Sequence, residues 1–210
     1  RLTDTVAYRY EDYPSAKGFL GREFNCYTED IYVGYRYFET FAPDAVQFPF
    51  GFGLSYTSFA MEAQNVALRG DNVVVAALVK NTGSRPGKEV VQVYVEPPQG
   101  KLGKPLRNLA AFQKTRLLQP GESQRLVLSF PATAAASFDD GGATGHKDAW
   151  VLEPGAYQVY VGNNVRDASL AGSYSVPELR VVRQLEEVCP PSPEHPFQRM
   201  ANRQGKPAFE

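Results

Sequence analysis

The side chains able to do chemistry in this chain are few and scattered. Asp139-Asp140 is an adjacent acid pair that invites a calcium or catalytic-pair reading. No ligand series follows it at the spacing of a calcium-binding loop, so a solvated loop is the favoured reading. His146 and His195 each stand alone, and a lone loop histidine is ordinarily just exposed. Cys26 and Cys189 have no metal-ligand spacing. Two free thiols are the favoured state, and a disulfide between them stays open because sequence separation does not decide it. Gly51-Phe52-Gly53 is no phosphate loop, since neither a helix nor a lysine follows in the required register. The other acidic residues sit mostly beside turns or on alternating polar faces, where a solvated carboxylate is the default. The sequence therefore offers no catalytic residue, no metal-ligand set and no cofactor motif, and it identifies no substrate-binding residue.

What would hold such side chains is a β-rich body. Of the 210 residues, 43% are hydrophobic and 21% charged, enough for a folded core. The formal net charge of -1 provides no basic field to attract nucleic acid or an anionic membrane. No run approaches the roughly 18 apolar residues that span a bilayer. The 18 Gly and 16 Pro signal many turns, and 12 Tyr with 13 Phe, often in runs with β-branched neighbours, signal strands. The chain starts at Arg1 with no signal-peptide pattern, so no compartment is assigned.

From Ser58 to Val176 the pattern is a train of short strands. Ser58 to Leu68 is the first, and Asn72 to Lys80 the second, apolar on both faces. Glu89 to Glu96, Leu109 to Leu117, Gln124 to Phe130, Ala149 to Leu152, Ala156 to Val161 and Ala171 to Val176 follow. Turns at Asn81-Thr82-Gly83, Gln119-Pro120-Gly121-Glu122 and Glu153-Pro154-Gly155 separate them. This spacing predicts a mainly β fold, an immunoglobulin-like or fibronectin type III-like sandwich.

The flanks read differently. Tyr8 to Ser15 is aromatic and polar, with Pro14 making it an edge or a loop. Ile31 to Phe38 is either a strand or a short helix, because eight residues do not settle the period. Neither piece has an evident partner in the sequence, so Tyr8, Tyr10, Tyr13, Tyr32, Tyr35, Tyr37 and Phe38 are expected to need a larger body to pack on. Phe48 to Tyr56 alternates glycine with aromatic rings and reads as a hinge with rings buried on either side. After Val176, a short helix is expected over Val181 to Val188. A proline-dense run, Cys189 to Pro196, follows as an extended arm or linker.

Phe48-Pro49-Phe50-Gly51-Phe52-Gly53-Leu54-Ser55-Tyr56 is very similar to the FPFGYGLSY signature of family 3 glycoside hydrolases. Asp12 to Ala16 resembles that family's DYPSA segment, and Glu29 to Phe38 its EGIYVGYRYY, with Asp30 in place of the usual glycine. Downstream, Val79 to Gly83, Gly87 to Tyr94, Lys104 to Phe112, Leu118 to Glu122 and Trp150 to Tyr157 match further motifs in the family's order. The resemblance spans roughly Tyr8 to Val176.

It implies the C-terminal portion of a β-glucosidase-like enzyme that hydrolyses terminal β-linked glucosyl residues. Residues 1–47 would end an α/β sandwich domain and residues 48–57 would form a hinge. Residues 58–176 would be the fibronectin type III-like domain, and 177–210 a Pro-rich tail or linker. Some family members reverse the order of their domains, which the tail would also suit. Retaining glycosidases work through two facing carboxylates. In the family the nucleophile is an Asp of the barrel domain and the acid/base commonly a Glu upstream of DYPSA, and neither has a counterpart here. The resemblance therefore implies an accessory portion that is inactive alone. Its partners would be the remaining catalytic domains and, in the complete enzyme, a β-glucoside or oligosaccharide. Homo-oligomerisation stays open. The signature residues Phe48, Pro49, Phe50, Gly51, Gly53, Leu54 and Tyr56 are expected to be structural. Trp150, ahead of Val151 in a strand, is expected in the core or between sheets rather than stacked on a sugar. The alternative is a free-standing sandwich that binds carbohydrate or protein. The aromatic residues before Ala45 argue against it.

Overall fold

A computed structural model describes residues 1–18, 21, 23, 25, 27–188, 200–203 and 206–209. Cys26, Cys189, His195 and the proline-dense run lie outside the described residues. The elements are β1 (Val6–Ala7), α1 (Tyr35–Phe41), β2 (Val46–Phe48), β3 (Phe59–Arg69), β4 (Asn72–Asn81) and β5 (Val90–Glu96). They continue with β6 (Asn108–Lys114), β7 (Ser123–Pro131), β8 (Ser137–Asp139), β9 (Ala149–Leu152) and β10 (Gly155–Gly162). The last are β11 (Ser169–Val176), β12 (Arg180–Gln184), β13 (Met200–Arg203) and β14 (Lys206–Phe209).

The strand train forms a β-sandwich. One sheet has the order β3-β4-β7, the other β11-β10-β5-β6, and a third, β12-β9-β8, closes one side. All pairings are antiparallel. Period-two alternation sends Val73, Val75, Ala77 and Val79 of β4 into a core shared with Val91, Val93 and Val95 of β5 and Tyr157, Val159 and Val161 of β10. The Tyr157 and Tyr174 rings stack there, 5.1 Å apart. Tyr157 donates its hydroxyl to the Glu153 carbonyl at 2.9 Å, the tie that locks corners in sandwiches of this type. The small β1–β2 ribbon, pairing Val6 with Phe48, lies before the sandwich.

One open reading of the flanks is settled and two expectations are corrected. The ambiguous segment over Ile31 to Phe38 resolves into helix, but only from Tyr35, with Gly34 ahead of it at φ +58°. Val181 to Val188 is not helical. Arg180–Gln184 is a strand paired with β9, Val181 opposite Val151 and Gln184 opposite Ala149. Its β-branched pair suits a pleated surface, and Val182 packs against the core. Part of the aromatic N-terminal segment does find partners within this chain, since Tyr32 and Phe38 are fully buried, whereas Tyr8 and Tyr10 stay exposed. Asp30 holds φ +50°, a left-handed conformation that Asp tolerates better than most residues, so the departure from glycine is accommodated.

Candidate functional site: the joint and the aromatic cleft

The joint begins with the two faces of β5. Val91, Val93 and Val95 point into the core, so Gln92 and Tyr94 must point to the sheet's outer face, normally wet in an antiparallel sandwich. Here both are buried. The cover comes from the N-terminal segment. The Tyr35 ring centroid lies 6.1 Å from that of Tyr94 and 4.7 Å from that of Phe50. The Leu109 amide donates to the Tyr35 hydroxyl at 3.0 Å, and the Leu106 amide to Thr40 Oγ1 at 3.1 Å. Arg166 donates to Glu39 at 2.8 Å, and the Val165 amide to the Phe50 carbonyl at 3.0 Å. Tyr94 donates its hydroxyl to Gln92 Oε1, whose amide donates to the Asn163 carbonyl at 2.8 Å. Burial raises the Tyr94 hydroxyl pKa well above the ordinary tyrosine value. Nearby, the Arg107 guanidinium sits 3.3 Å over the Tyr160 ring.

The signature residues divide. Gly51 has φ +86°, and a Cβ built there would lie 2.7 Å from Gln92 Nε2 and 2.8 Å from the Asn164 backbone. Its amide donates to the Leu2 carbonyl at 2.9 Å, while the Leu2 amide donates to the Phe52 carbonyl at 2.7 Å. Gly53 has no positive φ, and its built Cβ meets only Arg1, 3.1 Å from Cδ. Arg1 also donates to the Gly53 carbonyl at 2.7 Å and pairs with Glu89, the residue just before β5. Phe50 is half-buried against Tyr35, Pro49 is half-buried, and Phe48 packs against Phe52 in a tilted pair with centroids 4.9 Å apart. The expectation of rings buried on both sides holds only in part. Leu54 and Tyr56 are 92% and 96% exposed.

Sequence reasoning missed a set of buried polar ties. Lys104 is 1% exposed and pairs with Glu153, while also donating to the Pro98 carbonyl at 2.8 Å. Glu153 accepts the Lys101 amide at 2.7 Å as well, so both charges are hydrogen-bonded, as burial requires. Asn81 donates to the Arg85 and Leu118 carbonyls and accepts from Thr57 and Gly83. Asp139 is not solvated. It is fully buried and accepts the Ala143 amide at 2.8 Å and Thr144 Oγ1 at 2.6 Å. Burial alone would raise its pKa, but the bonds from Thr144, Ala143 and Gly142 together hold it below the usual carboxylate range. The signal for the first three was their place in short motifs; nothing in the sequence marked Asp139 as buried.

Trp150 is corrected too. The pleat of β9 turns Ala149 and Val151 inward and Trp150 outward, 41% exposed. It stands directly across from Phe138 on β8, ring centroids 5.5 Å apart. Both rings line a cleft of about 510 Å³ together with Arg36, Lys101, Asn108 and Asp140. No group of three or more His, Cys, Asp or Glu side chains placed to hold a metal occurs among the described residues.

The fibronectin type III-like domain family matches residues 89–165. The chain is 49% identical over 200 residues to a β-glucosidase of Ruminococcus albus, covering 95% of this chain and 21% of that protein. It is 46% identical to β-glucosidase A of Butyrivibrio fibrisolvens over 211 residues, covering 91% of this chain and 25% of that one. The crystal structure of a β-glucosidase from Paenibacillus barengoltzii superposes with a TM-score of 0.92 at 51% identity, covering 100% of this chain and 24% of that one. β-Glucosidase 3B from Thermotoga neapolitana, solved in complex with α-D-glucose, superposes at 0.77 with 43% identity, covering 86% and 25% of the two chains. The chain thus spans between a fifth and a quarter of the length of these relatives.

Proposed function

Since the chain belongs to glycoside hydrolase family 3, as the portion of a β-glucosidase that carries the fibronectin type III-like domain, we propose that it buttresses the rest of that enzyme without supplying reacting groups. The complete enzyme hydrolyses terminal β-linked glucosyl residues with retention, through carboxylates borne on its other domains. The observation that carries this reading is the joint. An aromatic segment is clamped by Tyr35, Glu39, Phe50 and Arg1 onto one face of a sandwich whose buried acids, Glu89, Glu153 and Asp139, are tied to partners within the chain. Acids so tied are held by donors within the chain rather than presented as a facing pair across a glycosidic bond. Residues 48–57 act as the hinge between the end of an α/β domain over 1–47 and the sandwich over 58–176, with 177–210 as the tail. Leu54 and Tyr56, bare here, are covered by the remaining domains.

The test is an assay with an aryl β-glucoside. The isolated 210-residue chain should release no aglycone, and turnover should require the other domains. Hydrolysis by the isolated chain that disappears when one of its own carboxylates is mutated would overturn the reading.

A further inference from the structure

Within this chain, Trp150 on an outer sheet face stands beside a second partly exposed ring, Phe138. Each such ring is worth about 1.5–3 kcal/mol when fully removed from water. Trp150 is the chain's single tryptophan. Strand register places Phe138 directly opposite it on β8 and Arg183 opposite it on β12. The cleft beside the two rings is about 510 Å³, the size of a small-ligand site. Its polar lining mixes signs, with Arg36 and Lys101 alongside Asp30 and Asp140, and adds the Asn108 amide. A mixed lining has no single-sign field to hold an anion or a cation. Arg36, Lys101 and the Asn108 amide supply donors along it, which the oxygens of a neutral polyhydroxyl ligand can accept. The axial C–H face of a β-linked glucosyl ring is apolar and flat, and its equatorial hydroxyls radiate at the edge. That shape matches an aromatic platform rimmed by polar groups.

We propose that Trp150, Phe138 and the adjoining cleft form a carbohydrate-binding site for a β-linked glucosyl residue of an oligosaccharide or glucan, with the sugar ring stacked on the indole. The choice of a β-glucosyl ligand rests on the proposed β-glucosidase context, whereas the site itself rests on the geometry of β8, β9 and the 101–105 loop.

The experiment uses the intact enzyme in native gels with and without soluble β-glucan, with aryl β-glucoside hydrolysis measured in parallel. The wild type should be retarded by the glucan. Trp150→Ala and Phe138→Ala should lose most of that retardation while hydrolysing the aryl glucoside at the wild-type rate. Trp150→Tyr, which keeps a stacking face, should retain part of it. In the isolated chain, the single indole should shift its emission on addition of cello-oligosaccharides. An unretarded wild type, or a Trp150→Ala enzyme retarded as strongly as wild type, overturns the proposal. Failure of the intact enzyme to cleave the aryl glucoside would instead strike the functional reading and leave the retardation result standing by itself. Should Trp150→Ala fail to fold, Phe138→Ala and the emission titration decide the matter.

Discussion

Gly51 and Gly53 are two residues apart in one motif and look interchangeable in sequence, yet they do different work. Only Gly51 is left-handed and pressed against the Asn164 backbone, so Gly51→Ala should cost about 1–3 kcal/mol in urea unfolding. Gly53→Ala asks only the Arg1 side chain to shift and should cost well under half as much. Equal losses would contradict the assignment of strain to Gly51. Lys104 and Glu153 make the sharper case. Removing one partner leaves a buried charge alone, so Lys104→Ala should cost about 3–5 kcal/mol. The double variant Lys104→Met with Glu153→Leu should recover part of that loss, read by the same denaturation curves. These roles were only half legible. The sequence located both residues inside motifs, but a charged side chain carries no mark of burial, and the default of a solvated carboxylate is right for most such residues. Trp150 was misplaced for a related reason: strand membership was readable, but which way the pleat turned was not.

At the scale of elements, alternation found the sandwich because a strand's two faces repeat every second residue. It failed where the run was too short to carry a period, at α1, or where a lone edge strand, β12, took its stability from a neighbour distant in sequence. The buried outer face of β5 was also hidden, because Gln92 and Tyr94 read as a wet face until α1 is seen on top of them. This changes what removal of residues 1–45 should do. The sandwich strands are complete without that segment, which alone would predict an unaffected domain. In the structure the deletion strips Glu89 of Arg1 and uncovers Tyr94. The truncated chain is therefore expected to melt lower, with a less cooperative transition in calorimetry. Amide exchange provides a second measurement. The Phe38 and Ala42 amides, bonded to the Gly34 and Phe38 carbonyls, should be protected in the isolated chain. Exchange at the rate of an open peptide would show that α1 does not dock without the other domains.

For the whole molecule, the buried tyrosines are expected to limit stability at alkaline pH. Burial pushes Tyr157 up to about 12, and raises Tyr174 and Tyr94 further in the same direction. A raised folded value means that the neutral ring's stabilisation is complete below the unfolded value of about 10 and is lost as pH rises through the folded one. Phenolate absorbance from these rings should appear together with unfolding, above about pH 10, rather than as a separate reversible titration. The acid limit has the opposite sign. Asp139 is held low, and Glu122 lies at about 2 through its hydrogen bonds from Arg116 and the Gln119 amide. Their contribution is present at neutral pH and fades as pH falls below the ordinary carboxylate range. Asp139→Asn should therefore flatten the acid limb of the stability profile. Docking belongs to this scale too: Leu54→Ser with Tyr56→Ser should leave the isolated chain's melting unchanged and weaken its hold on the other domains.

The contact between Tyr35 and the Leu109 amide bridges 74 residues of chain. During synthesis at about 5–20 residues per second, the aromatic segment therefore precedes its resting surface by roughly 4–15 seconds. For most of that interval Tyr35 and Phe50 have been made while β6 has not, and β5 is completed only near its end. The aromatic segment is thus made before the strands that shelter it, so a ribosome-associated holding chaperone should ride on residues 32–52 and let go once β6 has cleared the exit tunnel.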